Sequence, residues 1–395
     1  MKKENTCSVG SLSEYIAAIE KYDLFNYISR GESAMYEHPL RSGIHRKNFE
    51  IYSKMLEQYH LDVEMSINQT QDKNFLAFAQ HHGIPTNLLD FSFSPLVSLY
   101  FSMDGCKDKG YVYFINKSKM VSINNVIYER PLGWGLFEEL LEFESDLYKK
   151  VLPQMSEAFI ANREEMVTFF EKHAEEFIDE FRRIRAPGFL ESLEGGVDEF
   201  EKALEQYRAD RIKWIADECI NEDPTLQIYR SVSTFLQGMQ KIYKGDLHYP
   251  TLFFQNFGKV SNTVINGAEY SANIFVMMFL LKMEEIEYCY ERCSRKKLDF
   301  ELEFPFYFTY RPPIIDERVK NQSSVFVFQP FSTNRMHCEG KPVQVWQKIV
   351  PDFTIEVQNP ENIRKELEAI GFNLKHIYCD YDSIAKYTVS SWNSF

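Results

Sequence analysis

Residues 79–103 decide the architecture: Ala79-Gln80-His81-His82-Gly83-Ile84-Pro85-Thr86-Asn87-Leu88-Leu89-Asp90-Phe91-Ser92-Phe93-Ser94-Pro95, continuing as Leu96-Val97-Ser98-Leu99-Tyr100-Phe101-Ser102-Met103. The apolar run 86–91 reads as a strand. Ser94 followed by Pro95 reads as a helix start, a side-chain oxygen for free amides and then a residue with preset φ and no amide to satisfy. The helix is expected from Pro95 to about Met103. Before the strand, 73–80 reads as a helix closed at Gly83, a residue suited to the left-handed cap. After the helix, Tyr111 to Ile115 is β-rich, so the local order is strand, turn, helix, strand.

Working outward, 11–22 is the clearest first helix: Ser11 and Glu14 have capping-box spacing, and Leu12, Tyr15, Ile16 and Ile19 keep helical period. Residues 25–30 read as a short strand stopped by Gly31, and 47–59 as a helix. From about Leu132 to Arg295 the chain turns charged and helical, as at 164–183 and 197–218, with breaks at Pro187-Gly188 and Gly195-Gly196. Strand signals return at 304–310, 324–328 and 353–357. Asn359-Pro360 then opens a helix carrying Ile363, Leu367 and Ile370, closed by Gly371, and 382–387 reads as a last short helix. Neither end alone has enough strands to close a core. The expected class is therefore α+β, with residues 1–130 and 301–395 as halves of one sheet domain and 131–300 as a helical insertion.

The chain has 395 residues, 44% of them hydrophobic and 15% aromatic, ample for a large core. A formal charge of -14 argues against a surface that grips nucleic-acid phosphates or anionic lipid. The start MKKENTCSVGSLSEY has no apolar leader, and the greasiest run, 274–281, falls short of the ~20 residues of a membrane helix. Seven widely spaced cysteines without a Cys-x-x-Cys pair suggest reduced thiols in a cytoplasm. Cys289 and Cys293 have no histidine pair to complete a zinc set, and the adjacent His81 and His82 diverge on one element, so no metal is expected. Gly133-Trp134-Gly135 lacks the Lys and strand context of a phosphate loop, and His337-Cys338 lacks the support of a catalytic dyad.

The run 79–92, continuing into Pro95 to Phe101, resembles the FRG-domain family. Ile28-Ser29-Arg30-Gly31-Glu32 is similar to the aromatic-Arg-Gly motif for which that family is named, although Ser29 stands where the aromatic belongs. His38-Pro39-Leu40 through Arg46 is similar to the stretch that follows it. Pro312, Arg318, Asn321, Gln322 and Val325-Phe326 look like the family's later segment.

The resemblance implies an ADP-ribosyltransferase-like fold, a split core of two sheets with NAD bound between them. It assigns Arg30, with Gly31, as the first-strand anchor of the dinucleotide, because a guanidinium fork makes paired bonds to phosphate or ribose oxygens. Thr86, Asp90, Ser92 and Tyr100, in and beside the segment 88–101, would orient the ribose and stack on nicotinamide, and His82 would line the cleft. Gln322 falls where transferases usually carry a Glu, and Gln cannot act as a base; Glu317 and Glu303 stand nearby as carboxylates. NAD would be the substrate, with no metal and no membrane. The target would be a macromolecule, a protein or a nucleic-acid base, with a partner protein met through the helical insertion. Families of this kind often serve as toxins or in defence against phage.

Plainer roles stand beside these. Ser94 reads mainly as a cap, Ser92 as cap or ligand, and the Asp90 carboxylate as a bond to neighbouring amides or a pair with an arginine. Tyr100 and Phe101 are core residues by default. The functional alternatives are an NAD glycohydrolase, a non-enzymatic binding module on the same fold, and a scaffold acting through the acidic insertion. Arg30→Ala is expected to abolish turnover and leave the melting curve unchanged.

Overall fold

In the computed structural model the described residues are 5–46, 52–133, 146–162, 165, 298–303, 306–313, 317–334 and 343–392. They fall into two compact units. The first comprises Met1–Trp134, Tyr307–Pro330 and Gln347–Phe395, and the second Gly135–Phe306 and Phe331–Trp346.

The first unit is built on strands β1 (Thr6–Val9), β2 (Tyr27–Glu32), β3 (Leu88–Ser92), β4 (Gly110–Asn116) and β5 (Met120–Ser122). From the second half of the chain come β7 (Tyr307–Tyr310), β8 (Ser324–Phe328) and β11 (Phe353–Val357). They form one curled eight-stranded sheet in the order β1-β11-β4-β2-β3-β8-β7-β5, parallel at its two ends and antiparallel between. The class is mixed α+β.

Alternation along β4 explains how two cores form on one sheet. Val112 and Phe114 face a cluster with Val9, Ile355 and Val357, covered by helices α1 (Leu12–Lys21) and α5 (Pro95–Met103). Tyr113 and Ile115 face a second cluster with Ile28, Leu89, Phe91, Val325 and Val327. Helix α1 starts at Ser11, whose hydroxyl accepts from Glu14 N at 3.2 Å. Glu14 completes no box, because its carboxylate takes Gly10 N instead, at 2.7 Å. Tyr15, fully buried, donates from its hydroxyl to Pro95 O at 2.9 Å and so ties α1 to the start of α5.

Several sequence expectations change for physical reasons. Strand β2 does not stop at Gly31; Gly31 and Glu32 pair with Val112 and Tyr111, and the glycine instead admits the backbone of α5. After α2 (Tyr52–Val63), the helix expected at 73–80 is α4 (Phe75–His81), and Lys73 instead ends a separate helix α3 (Gln69–Lys73). They break at buried Asn74, which donates to Thr70 O at 2.7 Å and accepts from Tyr310 Oη at 2.5 Å. Gly83 has φ +89°, the left-handed turn expected of it.

Ser94 makes no side-chain cap. Ser92 Oγ accepts from Ser94 N at 2.9 Å, a local turn that supplies the helix start from two residues earlier. Of the strand expected at 304–310, Tyr307–Tyr310 is observed, and residues 304 and 305 lie outside the described residues. A short helix α6 (Asn124–Glu129), in this unit, and the longer α7 (Asp146–Ala161), in the second, follow β5.

Past the second unit, α8 (Glu317–Asn321) precedes β8, and α9 (Pro360–Ala369) buries Ile363 and Leu367 while Ile370 lies exposed beyond its end. Helix α10 (Leu374–Tyr378) follows, and the expected last helix runs longer, as α11 (Tyr381–Trp392).

The second unit contains β6 (Leu298–Glu303), β9 (Phe331–Asn334) and most of β10 (Val343–Lys348), paired in the order β6-β10-β9. Trp346 Nε1 donates to Glu301 Oε1 at 3.1 Å. Most of the region read as a helical insertion lies outside the described residues, as do Cys289, Cys293, His337, Cys338 and the first part of the helix expected at 47–59. No helix among the described residues is long and apolar enough to cross a membrane.

Buried His45 gives the fold a pH dependence. Its Nδ1 lies 2.6 Å from Ser42 Oγ, and burial lowers its pKa from the ordinary 6.5 to about 3, with Gln329 opposing and Arg41 adding to the shift. Below ~6.5 the unfolded chain takes a proton that the native imidazole refuses, so stability falls as pH drops from there toward ~3, by about 1.4 kcal/mol per unit. Urea unfolding at pH 7 and pH 5 should differ by about 2 kcal/mol on this account. His45→Gln should lose that share of the slope; an unchanged slope in the variant would assign the acid sensitivity elsewhere.

Candidate functional site

Strands β2 and β3 are in register at one residue pair, Ser29 with Ser92. Beyond it the Arg30 side chain spans the gap, its Nη1 donating to the Asp90 backbone carbonyl at 2.9 Å. A cleft of about 250 Å³ opens here, walled by Ser29 to Glu32 on β2 and Ser33 just past it, Asp90 to Ser92 on β3, Val97, Ser98 and Phe101 on α5, and Arg318, Gln322 and Ser324.

Arg30 Nε donates to Glu32 Oε1 at 3.1 Å, and Arg30 Nη1 lies 3.9 Å from Asp90 Oδ2. Glu32 is buried, whereas the Asp90 side chain is 62% exposed. Asp90 is nevertheless fixed, because Gln80 Nε2 donates to both of its carboxylate oxygens at 3.0 Å. Gln80 Oε1 in turn accepts from Thr86 Oγ1, which itself accepts from Leu88 N at 3.1 Å. A polar chain thus runs Thr86–Gln80–Asp90–Arg30–Glu32, linking the turn after α4 to the cleft. Net charge at this end is one cation against two carboxylates.

The structure brings Arg30, Gly31, Asp90, Ser92 and Gln322 together around one cleft. Ser92 is buried, and its hydroxyl donates to Gln322 O at 2.6 Å. The Gln322 amide donates to Ile377 O at 3.3 Å. Gly31 lies under α5, against Ser98. Thr86 is buried behind the wall and reaches the site only through Gln80. His82 is exposed at the end of α4, edge-on to Phe78 at 4.5 Å. Tyr100 packs on Phe372 at 6.4 Å, and burial, with Asp104 adding, raises its hydroxyl pKa to about 12. None of these three lines the cleft. Glu317 begins α8, and the cleft wall takes Arg318 from that helix.

Sequence reasoning missed Glu32 as the partner of Arg30, and Tyr36 and Arg318 as wall residues. Gln80, expected to bond the turn or line the cleft, is the fork on Asp90, and Phe101, at the end of the expected binding segment, lines the wall. The spacing of Arg30 and Glu32, two apart on a strand and so on one face, is the one signal that could have found a pair.

A family model for the FRG domain matches residues 25–110. The chain carries an FRG domain. The match spans β2 to the start of β4, and so includes Arg30, Glu32, Gln80, Asp90 and Phe101. Arg318, Gln322 and Ser324 come to the FRG cleft from outside it. No curated protein and no solved structure matches the chain significantly.

Proposed function

We propose that the FRG cleft binds NAD and that the chain cleaves the bond between nicotinamide and ribose, passing ADP-ribose to a macromolecular target or to water. The observation that carries this reading is the meeting of Arg30, Glu32 and Asp90 where β2 and β3 part. When the C1′–N bond breaks, its electron pair neutralises the pyridinium ring and positive charge develops on the ribose. A fixed carboxylate in a recess stabilises that charge. Asp90 is the carboxylate open to a ligand, held in one orientation by Gln80. An acceptor oxygen or nitrogen then bonds C1′ and gives its proton to solvent. Arg30 has five N–H groups, so those not directed at Glu32 and the Asp90 carbonyl remain to hold ribose hydroxyls.

Drug-sized ligands occupy roughly 300–1,000 Å³. The smaller volume here suits the nicotinamide-ribose half, with the rest of the dinucleotide along the rim. A split, two-sheet transferase core belongs to this proposal too; what supports it is that β2 and β3 pair at one residue within the single eight-stranded sheet. Toxin or phage-defence use, a protein or nucleic-acid-base target, and a partner docking through residues 131–300 follow from the family resemblance and belong to this proposal.

A binding module without chemistry is the second reading. It is favoured by the commitment of the Gln322 amide to Ile377, at the position where a transferase would present its Glu. Nicotinamide release from NAD by the full chain separates the two. Asp90→Asn should cut release by about 100-fold or more with an unchanged melting curve, since the carboxylate is exposed. Heat of NAD binding without nicotinamide release would leave the module. Neither heat nor release would remove NAD from both.

A further inference from the structure

Arg318 enters the cleft wall from α8 and is the only cation there besides Arg30 among the described residues. The two differ in what already holds them. Arg30 is neutralised by Glu32 and stands beside Asp90. Among the described residues the Arg318 side chain makes no hydrogen bond and no ion pair within 4 Å, and its guanidinium carbon lies 4.7 Å from the centre of the Tyr378 ring.

That ring is itself braced, edge-on to Phe101 at 6.1 Å and with its hydroxyl donating to Asp104 Oδ2 at 3.4 Å. Asp104 also lines the cleft and takes that bond. Asp380, the other nearby acid, accepts from Ser383 N at 2.7 Å and Ser383 Oγ at 2.9 Å, and its pKa is lowered by those bonds and in small part by Arg318. An arginine stacked on a ring keeps its N–H edge for an oxyanion, because stacking uses the π face and bidentate bonding uses the plane.

Resting on the NAD reading, we infer that Arg318 is the phosphate-binding residue of the cleft, so that the ligand lies with its sugar toward Arg30, Glu32 and Asp90 and its phosphate toward α8. Electrostatics sets this polarity. The β2–β3 end has its guanidinium paired with Glu32 at 3.1 Å and suits hydroxyls and a cationic ring. The α8 end offers a guanidinium over a ring, one that no described carboxylate pairs within 4 Å, Asp104 and Asp380 being held by Tyr378 and Ser383. The role usually given to a first-strand arginine is thereby divided, with Arg30 holding the sugar and Arg318 the phosphate.

Nicotinamide riboside and nicotinamide mononucleotide differ by one phosphate and provide the test. Calorimetry on the full chain should show the mononucleotide binding at least tenfold more tightly than the riboside. Arg318→Ala should erase that preference and leave riboside affinity unchanged, which also shows that the cleft is intact. Arg318→Lys, retaining charge without the planar fork, should keep part of the preference. If both ligands bind wild type and Arg318→Ala still prefers the mononucleotide, or wild type shows no preference, the assignment to Arg318 is overturned while the NAD reading stands. If wild type binds neither, nor NAD itself, both fall together.

Discussion

Gly31→Val should melt at least about 10 °C below wild type or fail to accumulate folded protein, the largest stability effect expected of any single change in the FRG segment. A β-carbon at this position would sit 1.9 Å from Ser98 O, 2.5 Å from Ser102 N and 2.9 Å from Ser98 C. All three are backbone atoms of α5, so no side chain can swing aside; the helix or β2 must move by more than an ångström. Overpacking a tight core costs typically 1–3 kcal/mol and sometimes more. Here the cost falls at or above the top of that range, and each kcal/mol lowers the melting temperature by about 2–4 °C in a domain of this size. Gly110, whose β-carbon would lie 2.2 Å from Ser102 O, seats the same helix on β4 and should behave alike. Gly83→Ala is the control. It has open space around it and only its φ of +89° to violate, at a cost of about 1–2 kcal/mol. Thermal melts by circular dichroism rank the three; Gly31→Ala melting within about 2 °C of wild type would mean that the close approach of α5 is not what the glycine serves.

The same contact explains which parts of the molecule could be read in advance. Short-range chemistry was legible. Pro95 starts α5, Gly83 and Gly371 turn with positive φ, and the apolar run 325–328 lies in a strand buried on both faces. What failed depended on partners far along the chain. Gly31 looked like a strand stop because its role is set by Ser98, and Ser94 looked like a cap because the turn that replaces it comes from Ser92. Strands β1 and β5, four and three residues long, carry no periodicity and exist because β11 and β7 pair with them.

The site divides the same way. Arg30, Asp90 and Ser92 were found from the motif, but the hydroxyl of Ser92 proves to hold Gln322 O and Ser94 N. Tyr100 and Phe101 are adjacent on α5 and so point about 100° apart. Which of them meets the cleft was decided by the rotation of the helix, and it is Phe101.

Arg30→Met should abolish NAD binding and also destabilise the fold by on the order of 3 kcal/mol, so the unchanged melting curve expected from sequence does not follow. The reason is Glu32. It is buried, and its Oε1 accepts from Arg30 Nε at 3.1 Å and from Leu40 N at 3.4 Å. Removing the guanidinium takes away the cation 3.1 Å from a buried carboxylate, and the cost of that charge in a low-dielectric recess, rather than the lost attraction, is the larger part. Arg30→Met/Glu32→Gln removes charge and partner together and should recover most of the stability, because an amide can occupy the recess at far lower solvation cost than a carboxylate. Ligand binding should not return, since the double variant still has no cation on β2. Stability and function at Arg30 therefore separate in one double-mutant cycle of urea unfolding and NAD calorimetry. A single variant as stable as wild type would show that Glu32 does not depend on Arg30. A double variant that binds NAD would show that the guanidinium holds β2 to β3 and touches no ligand, leaving Arg318 as the cation the cleft offers.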